Sequence, residues 1–301
     1  MRQAFSPTLV LTCAALMPAL TAHAANITVT GTVNYGANNT WSPGSTVTDN
    51  GGHITFSTDT GSDASAPLSV ILNSGTVNFT STQHLNALTI NGGKATLSGG
   101  PLKTSSLPFA SSSGAYAGTL DLTAQPAIVE PTASTKATVF SALQAEITYG
   151  KTHTTGILSS TLATNMTIAL VDNAAFGQTT FRGVAVDTNS LLVVPALLGD
   201  TNLDGKVDLS DLNTVLNNLG TTNANFTSGN FDGAPTIDLT DLNDVLNNLG
   251  AGSANPGAQT ADTSLLFIAA RPDPNVTLVP EPASLLLTLP LATLLLHRRR
   301  L

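Results

Sequence analysis

Residues 68–97 decide the fold: Leu68-Ser-Val-Ile-Leu-Asn-Ser-Gly-Thr-Val-Asn-Phe-Thr-Ser-Thr-Gln-His-Leu-Asn-Ala-Leu-Thr-Ile-Asn-Gly-Gly-Lys-Ala-Thr-Leu97. Four short runs inside it, Leu68-Ser-Val-Ile-Leu, Thr76-Val-Asn-Phe, Leu88-Thr-Ile and Ala95-Thr-Leu, alternate apolar residues with Ser, Thr or Asn. That is the period of a strand with one buried face, and Asn91-Gly92-Gly93 is a turn signal between two of them. Working outward, Ile27-Thr-Val-Thr, Asn50-Gly51-Gly52, Ile54-Thr-Phe and Leu120-Asp-Leu repeat the scheme. Strands of three to five residues, recurring with their turns about every 10–20 residues, suit coils that stack one on the next. A β-solenoid is therefore expected for a passenger spanning 25–198, with a β-sandwich as the alternative because it shares short strands and turn signals. One helical stretch is expected at 137–148, with Val139, Phe140, Leu143 and Ile147 on one side. Later strands at 167–171, 181–186 and 191–194 lead straight into Asp200.

Composition narrows the function classes. Of 301 residues only 10% are charged and 5% aromatic, and 19 acidic side chains face 11 basic ones for a net charge of −8. A protein that works by neutralising phosphates needs the opposite balance, so nucleic acid is excluded as a partner. The single cysteine, Cys13, lies in the first 24 residues, leaving no thiolate chemistry or disulfide for the body of the chain.

One internal repeat stands apart. Asp208-Leu-Ser-Asp-Leu-Asn-Thr-Val-Leu-Asn-Asn-Leu-Gly220 recurs as Asp238-Leu-Thr-Asp-Leu-Asn-Asp-Val-Leu-Asn-Asn-Leu-Gly250, identical at eleven of thirteen positions. Residues 199–250 hold eight aspartates and one lysine, and so many carboxylates repel one another unless a cation sits among them. Asp200, Asn202, Asp204, Lys206, Asp208 and Asp211 fall at positions 1, 3, 5, 7, 9 and 12 of a twelve-residue loop with Gly205 at position 6. That is the EF-hand spacing: side-chain oxygens at 1, 3 and 5, a backbone carbonyl at 7, a water or side chain at 9, and a carboxylate at 12. An all-oxygen shell of this kind suits Ca2+ above the more demanding magnesium. Asn230, Asp232, Ala234, Thr236, Asp238 and Asp241 occupy the same positions in the second copy, where position 5 has lost its oxygen and Pro235 replaces the glycine. Weaker cation binding is expected there. Val207 and Ile237, both at position 8, are expected to pair as a short strand contact. Leu212, Val215, Leu216 and Leu219, and their counterparts Leu242, Val245, Leu246 and Leu249, have helical spacing, so the two stripes are expected to pack face to face.

Loop–helix units with no preceding helix, Asp at position 12 and a duplicated Asp-Leu-x-Asp-Leu-Asn resemble the type I dockerin domain across residues 199–250. The resemblance implies docking onto a cohesin-like module read by loop positions 10 and 11, here Leu209-Ser210 and Leu239-Thr240. Two alternatives stay open: Ser210 and Thr240 as plain helix N-caps, and the whole module as a calcium-locked spacer without a cohesin.

The two ends read as addresses. Arg2, the apolar run 9–20 and Ala22-His23-Ala24 form a secretory leader over 1–24, expected to be removed by signal peptidase. After a linker or return strand at 251–278, residues 279–301 carry Pro280-Glu281-Pro282, a short apolar transmembrane segment and the basic run Arg298, Arg299, Arg300. That order resembles the PEP-CTERM sorting signal of Gram-negative bacteria, which implies recognition and removal by an exosortase-type enzyme and delivery to the cell surface. Between these ends, residues 25–279 hold seven basic and eighteen acidic side chains, a net charge of −11. As a whole the chain resembles exported surface proteins of planctomycete-like bacteria, with a repetitive β passenger, a dockerin and a sorting tail.

Dockerins often accompany polysaccharide-degrading enzymes, and a glycoside hydrolase needs two facing carboxylates and usually aromatic platforms. Outside the repeat, residues 25–279 hold ten acids, of which Asp121, Asp172 and Asp187 are the candidates, and Trp41 is the sole tryptophan. His53, His84 and His153 read as exposed loop residues. The expectation is a non-catalytic cell-surface or matrix protein that binds calcium, with a cell-envelope polysaccharide or cohesin-like module as partner. The alternative is a carbohydrate-active protein.

Overall fold

A period of two puts every second side chain of a strand on the same face, and the passenger strands use that face to line a common interior. The computed structural model describes residues 8–11, 25–222 and 225–252. The rest of the leader, the segment beyond residue 252 and the sorting signal, with Pro280, Glu281, Pro282, Arg298, Arg299 and Arg300, lie outside the described residues. No helix among the described residues is long and apolar enough to cross a membrane.

Nine strands form one wholly parallel sheet: β1 (Thr8–Leu11), β2 (Asn26–Val29), β3 (Thr32–Tyr35), β4 (Ser45–Phe56), β5 (Leu68–Phe79), β7 (Ala87–Ile90), β8 (Gly93–Leu97), β12 (Gly118–Asp121) and β14 (Gly156–Leu158). Their order is β1-β2-β4-β5-β8-β12-β14, with β3 also beside β4 and β7 beside β5. Parallel neighbours in chain order require each connection to travel round the molecule and return. The passenger is thus a parallel-strand β-solenoid and not a sandwich. A second sheet runs β15 (Met166–Asp172), β18 (Leu191–Leu197), β13 (Ala127–Val129), β9 (Leu102–Thr104), β6 (Gln83–Leu85). Its β6, β9 and β13 are parallel, whereas β18 and β15 are added antiparallel. Hairpins β10 (Ser111–Ser112) with β11 (Ala115–Tyr116), and β16 (Thr180–Phe181) with β17 (Val184–Ala185), project between these elements. The helices are α1 (Lys136–Gly150), α2 (Asn173–Phe176), α3 (Leu209–Asn218) and α4 (Leu239–Asn248).

Register explains the stability of the stack. Val33, Ile54, Val77, Ala95, Leu120 and Ile157 lie side by side on successive strands, none more than 2% exposed. Two residues on, Tyr35, Phe56 and Phe79 form a second column whose rings stack at 5.1 and 5.3 Å between centroids. The runs expected as separate short strands are merged: β4 and β5 are each 12 residues long and bend without breaking. The register shifts between Asp49 and Gly52 make the bend. There the side-chain amide of Asn73 donates to Asn50 (2.8 Å) and that of Asn91 to Asn73 (2.7 Å), so one corner is repeated on three coils.

His84 departs from its expected exposed position. It is buried on β6 and sits between two carboxylates of the loop joining β4 to β5, with Nδ1 2.6 Å from Asp59 and Nε2 3.1 Å from Asp63. Lys103 of β9 lies 3.0 Å from Asp63 and 3.8 Å from Glu130, and donates to the carbonyl oxygen of Ala185 at 2.6 Å. Only the imidazolium donates from both nitrogens. The hydrogen bond to Asp59, followed by the charges of both aspartates, raises the His84 pKa against an opposing effect of burial. A raised pKa means that the stabilisation is complete below the ordinary histidine value and is lost as pH rises through the folded value. His84→Gln is expected to cost about 2 kcal/mol at pH 6 and less at pH 9. Urea midpoints at the two pH values check this, and an equal loss at both would sink the ionic reading.

Two of the three acids considered for glycoside cleavage are held in ion pairs. Asp121 is paired with Lys94 at 2.7 Å and accepts from the backbone of Ser160 and Thr123. Asp172 is paired with Lys136 and caps α2. Residues 199–250 pack against the second sheet. Val207, Val215, Phe226, Phe231, Ile237 and Val245 share one apolar cluster with Ile128, Val171, Leu192 and Val194.

Candidate metal centre

The two loop–helix units owe their local shape to their aspartates. Asp208 and Asp238 are the N-caps of α3 and α4, accepting from the backbone N–H groups of Ser210 and Thr240. Asp211 and Asp241 return the bond to the cap residues' own N–H groups, closing a capping box at each helix. Ser210 and Thr240 are therefore not the caps. Their side chains are exposed in the first turn, beside Leu209 and Leu239, which are each 65% exposed.

In the first loop Asp200 is 2% exposed and Asp211 fully buried. Asp200 accepts from the backbone N–H of Gly205 (2.9 Å) and Asp204 (3.2 Å), Asn202 from Asp204 (2.9 Å), and Asp204 from Lys206 (2.9 Å). Asp211 accepts from Thr201 through one oxygen and from the backbone of Asp208 through the other, both at 2.9 Å. The loop thus wraps N–H groups around a set of carboxylates. Burial, reinforced by the negative charges of Asp211 and Asp204, pushes the Asp200 carboxyl up to about 7 even though the N–H donors oppose the shift. Burial likewise raises Asp211. Asp200 in turn favours the charged form of the half-buried Arg182, which burial otherwise disfavours.

The second loop is built differently. Asn230 accepts from the backbone of Gly233 and donates to the Ala234 carbonyl oxygen (2.8 and 2.6 Å), and Asp232 accepts from the backbone of Ala234 at 2.7 Å. Asp241 is buried and accepts from Phe231 and Asp238, while Asp232 and Asp238 are exposed and Thr236 half-buried. The left-handed residue at position 4, Leu203 in the first loop (φ 56°), is Gly233 here (φ 79°), whereas the left-handed turn that Gly205 makes at position 6 (φ 87°) has no counterpart at Pro235.

Two expectations about this module are corrected. Val207 and Ile237 do not pair with each other. Val207 exchanges backbone bonds with Gly250 and Ala251 beyond α4, and Ile237 with Gly220 and Thr221 beyond α3, so each unit is closed by the tail of the other. Nor do the leucine stripes meet as whole faces. Val215 and Val245 are buried and Leu212 and Leu242 half-buried, but Leu216, Leu219, Leu246 and Leu249 are exposed. α3 and α4 do touch each other, with Val215 and Val245 in one apolar cluster with residues of β13, β15 and β18.

Among the described residues no three His, Cys, Asp or Glu side chains form a group that could hold a metal ion. The donors of the first loop nonetheless fit a hard divalent cation in kind, because Asp200, Asn202, Asp204 and Asp211 are oxygen ligands and two of the carboxylates are buried. Among the described residues no lysine or arginine forms an ion pair with them. The second loop fits less well, with Ala234 at the fifth position.

Compared with protein-family models, with curated proteins and with solved structures, the chain matches none. What the coordinates define is a mostly β protein built on a parallel-strand solenoid, with a few helices.

Proposed function

We propose that this chain is a non-catalytic, exported cell-surface or matrix protein. In this reading the solenoid is its passenger and the duplicated loop–helix module a calcium-binding, dockerin-like unit. Asp200, Asn202, Asp204, the carbonyl of Lys206 and Asp211 would hold the ion in the first loop. Asn230, Asp232 and Asp241 would hold a weaker one in the second. Calcium would supply positive charge to buried carboxylates that form no ion pair among the described residues, Arg182 acting on Asp200 only through its field. Leu209-Ser210 and Leu239-Thr240 then offer a cohesin-like partner two equivalent patches. The observation that carries the reading is the pair Asp200 and Asp211, removed from water inside a loop with EF-hand spacing.

Calcium in hundredfold excess over its Kd is expected to stabilise the protein by about 2.7 kcal/mol, since it binds the folded state alone. Thermal melts with calcium and with chelator check this, and Asp200→Ala/Asp211→Ala should abolish the difference. Pull-down from an envelope extract then tests docking: a partner kept with calcium and lost in that variant supports a docking module. A calcium-stabilised protein that captures nothing leaves a structural clamp. No calcium effect on the melt sinks the metal reading.

A further inference from the structure

One cleft borders the second loop on the side of α1. It opens between α1 and the second loop and encloses about 510 Å³, with Phe140, Gln144 and Lys151 on the helical wall, Asp232 and Pro235 on the loop wall, and residues 168–170 of β15 as its floor. The size falls in the range of roughly 300–1,000 Å³ typical of small-molecule sites.

We propose that this cleft binds a neutral oligosaccharide. The floor is apolar, Ile168 and Leu170 being 9% and 6% exposed, and Phe140 adds a half-buried ring at the side. Around this base stand the exposed polar ends of Gln144, Lys151 and Asp232. A pyranose ring has the complementary build, with C–H faces for the base and hydroxyl groups for the rim. One lysine and one aspartate among the lining residues leave the rim without a dominant sign, which disfavours a strongly anionic or cationic ligand. The loop wall is set before any ligand arrives. Asn230, 7% exposed, uses its oxygen on the Gly233 N–H and its amide on the Ala234 carbonyl, fixing the backbone next to Asp232 and Pro235. Such fixing lowers the ordering cost of binding. The site requires no cation, although its loop wall shares Asn230 and Asp232 with the second loop of the calcium reading, which is why the test is run with calcium and with chelator.

Isothermal titration of the protein with cellohexaose, mannohexaose and a galacturonate hexamer, each in calcium and again in chelator, tests it. At least one neutral hexamer is expected to bind. Gln144→Ala/Lys151→Ala, two exposed positions in α1 and just past its end, is expected to weaken that binding about tenfold or more through lost rim hydrogen bonds. Binding that survives the double substitution overturns the proposal. So does binding of the galacturonate alone, or no heat from either neutral hexamer up to about 10 mM, the range of very weak complexes. A response confined to calcium would assign the sugar to the metal loop, and so also overturn it.

Discussion

Gly75→Val is expected to leave no folded passenger. Gly75 lies on the bend of β5 at φ +89°, where a Cβ would stand 2.3 Å from the carbonyl oxygen of Gly52 and 2.8 Å from the Asp49 carboxylate. The next coil repeats the approach, since a Cβ on Gly93 would meet the Gly75 oxygen at 2.5 Å. Valine therefore meets two costs. A β-branched residue is strained at positive φ, and backbone in the neighbouring coil has to move. Coils touch only their neighbours, so a displaced coil breaks the stack on both sides. The combined loss is put above about 4–5 kcal/mol, the range of exceptional single substitutions. Gly114→Val is the control: φ is +80° there, but no atom lies within 4 Å of a built Cβ. It isolates the strain, about 1–2 kcal/mol. Far-UV circular dichroism and urea melts compare the two, and a Gly75→Val protein no less stable than Gly114→Val would show that close approach of the coils is not what holds the corner.

Glu146→Gln is expected to stabilise the protein in mild alkali and leave it unchanged in acid. Glu146 faces inward from α1 at 4% exposure, and its Oε2 has no hydrogen-bond partner. Burial alone pushes its carboxyl up to about 8. The sign follows from that direction: the folded state holds the proton more tightly than the unfolded one. Stability is therefore full below the ordinary glutamate value and declines as pH rises toward 8. The decline is on the order of 3–5 kcal/mol, and glutamine, neutral throughout, escapes it. At pH 8.5 the variant should melt about 5–10 °C higher than the parent. Parallel melting curves at pH 5 and 8.5 would contradict the buried-carboxyl account. His84, Asp200 and Asp211 add slopes of the same sign, so the variant should keep part of the decline, and the double variant with His84→Gln should keep less of it.

The sequence carried the passenger's architecture in a form that local chemistry reveals. Alternation at 68–97 marked the inward face, and Asn-Gly-Gly at 50–52 and 91–93 marked corners. Asn73-Ser74-Gly75 is the same corner with only one glycine, a weaker turn signal, so the alternation alone suggests two strands where β5 runs through. The helix at 137–148 was legible from its apolar spacing and proves to be α1. Within the repeat, Ser210 and Thr240 stay open as caps or as partner-reading positions on the sequence alone, because a hydroxyl and a carboxylate two residues apart look equally able to cap. Pairing was the least legible. Position 8 calls for a backbone partner, but nothing local says that Val207 takes Gly250 and Ala251 in place of Ile237. Burial of His84 was hidden for the same reason, since Asp59 and Asp63 come from another coil. The helix–loop cleft was not legible, because its two walls, α1 and residues 230–235, lie some eighty residues apart in the chain.

The crossed closure of the loop–helix module also governs how the chain carries load. Val207 and the Gly250–Ala251 segment are held by two backbone bonds, so the chain leaves the module beside the point where it entered from the solenoid. Tension drawn through the residues after Gly252 thus reaches the first loop directly, while α3 and α4 lie off the line of pull. The module behaves as a buckle: slack in the helices does not lengthen the strap until the clasp at Val207 opens.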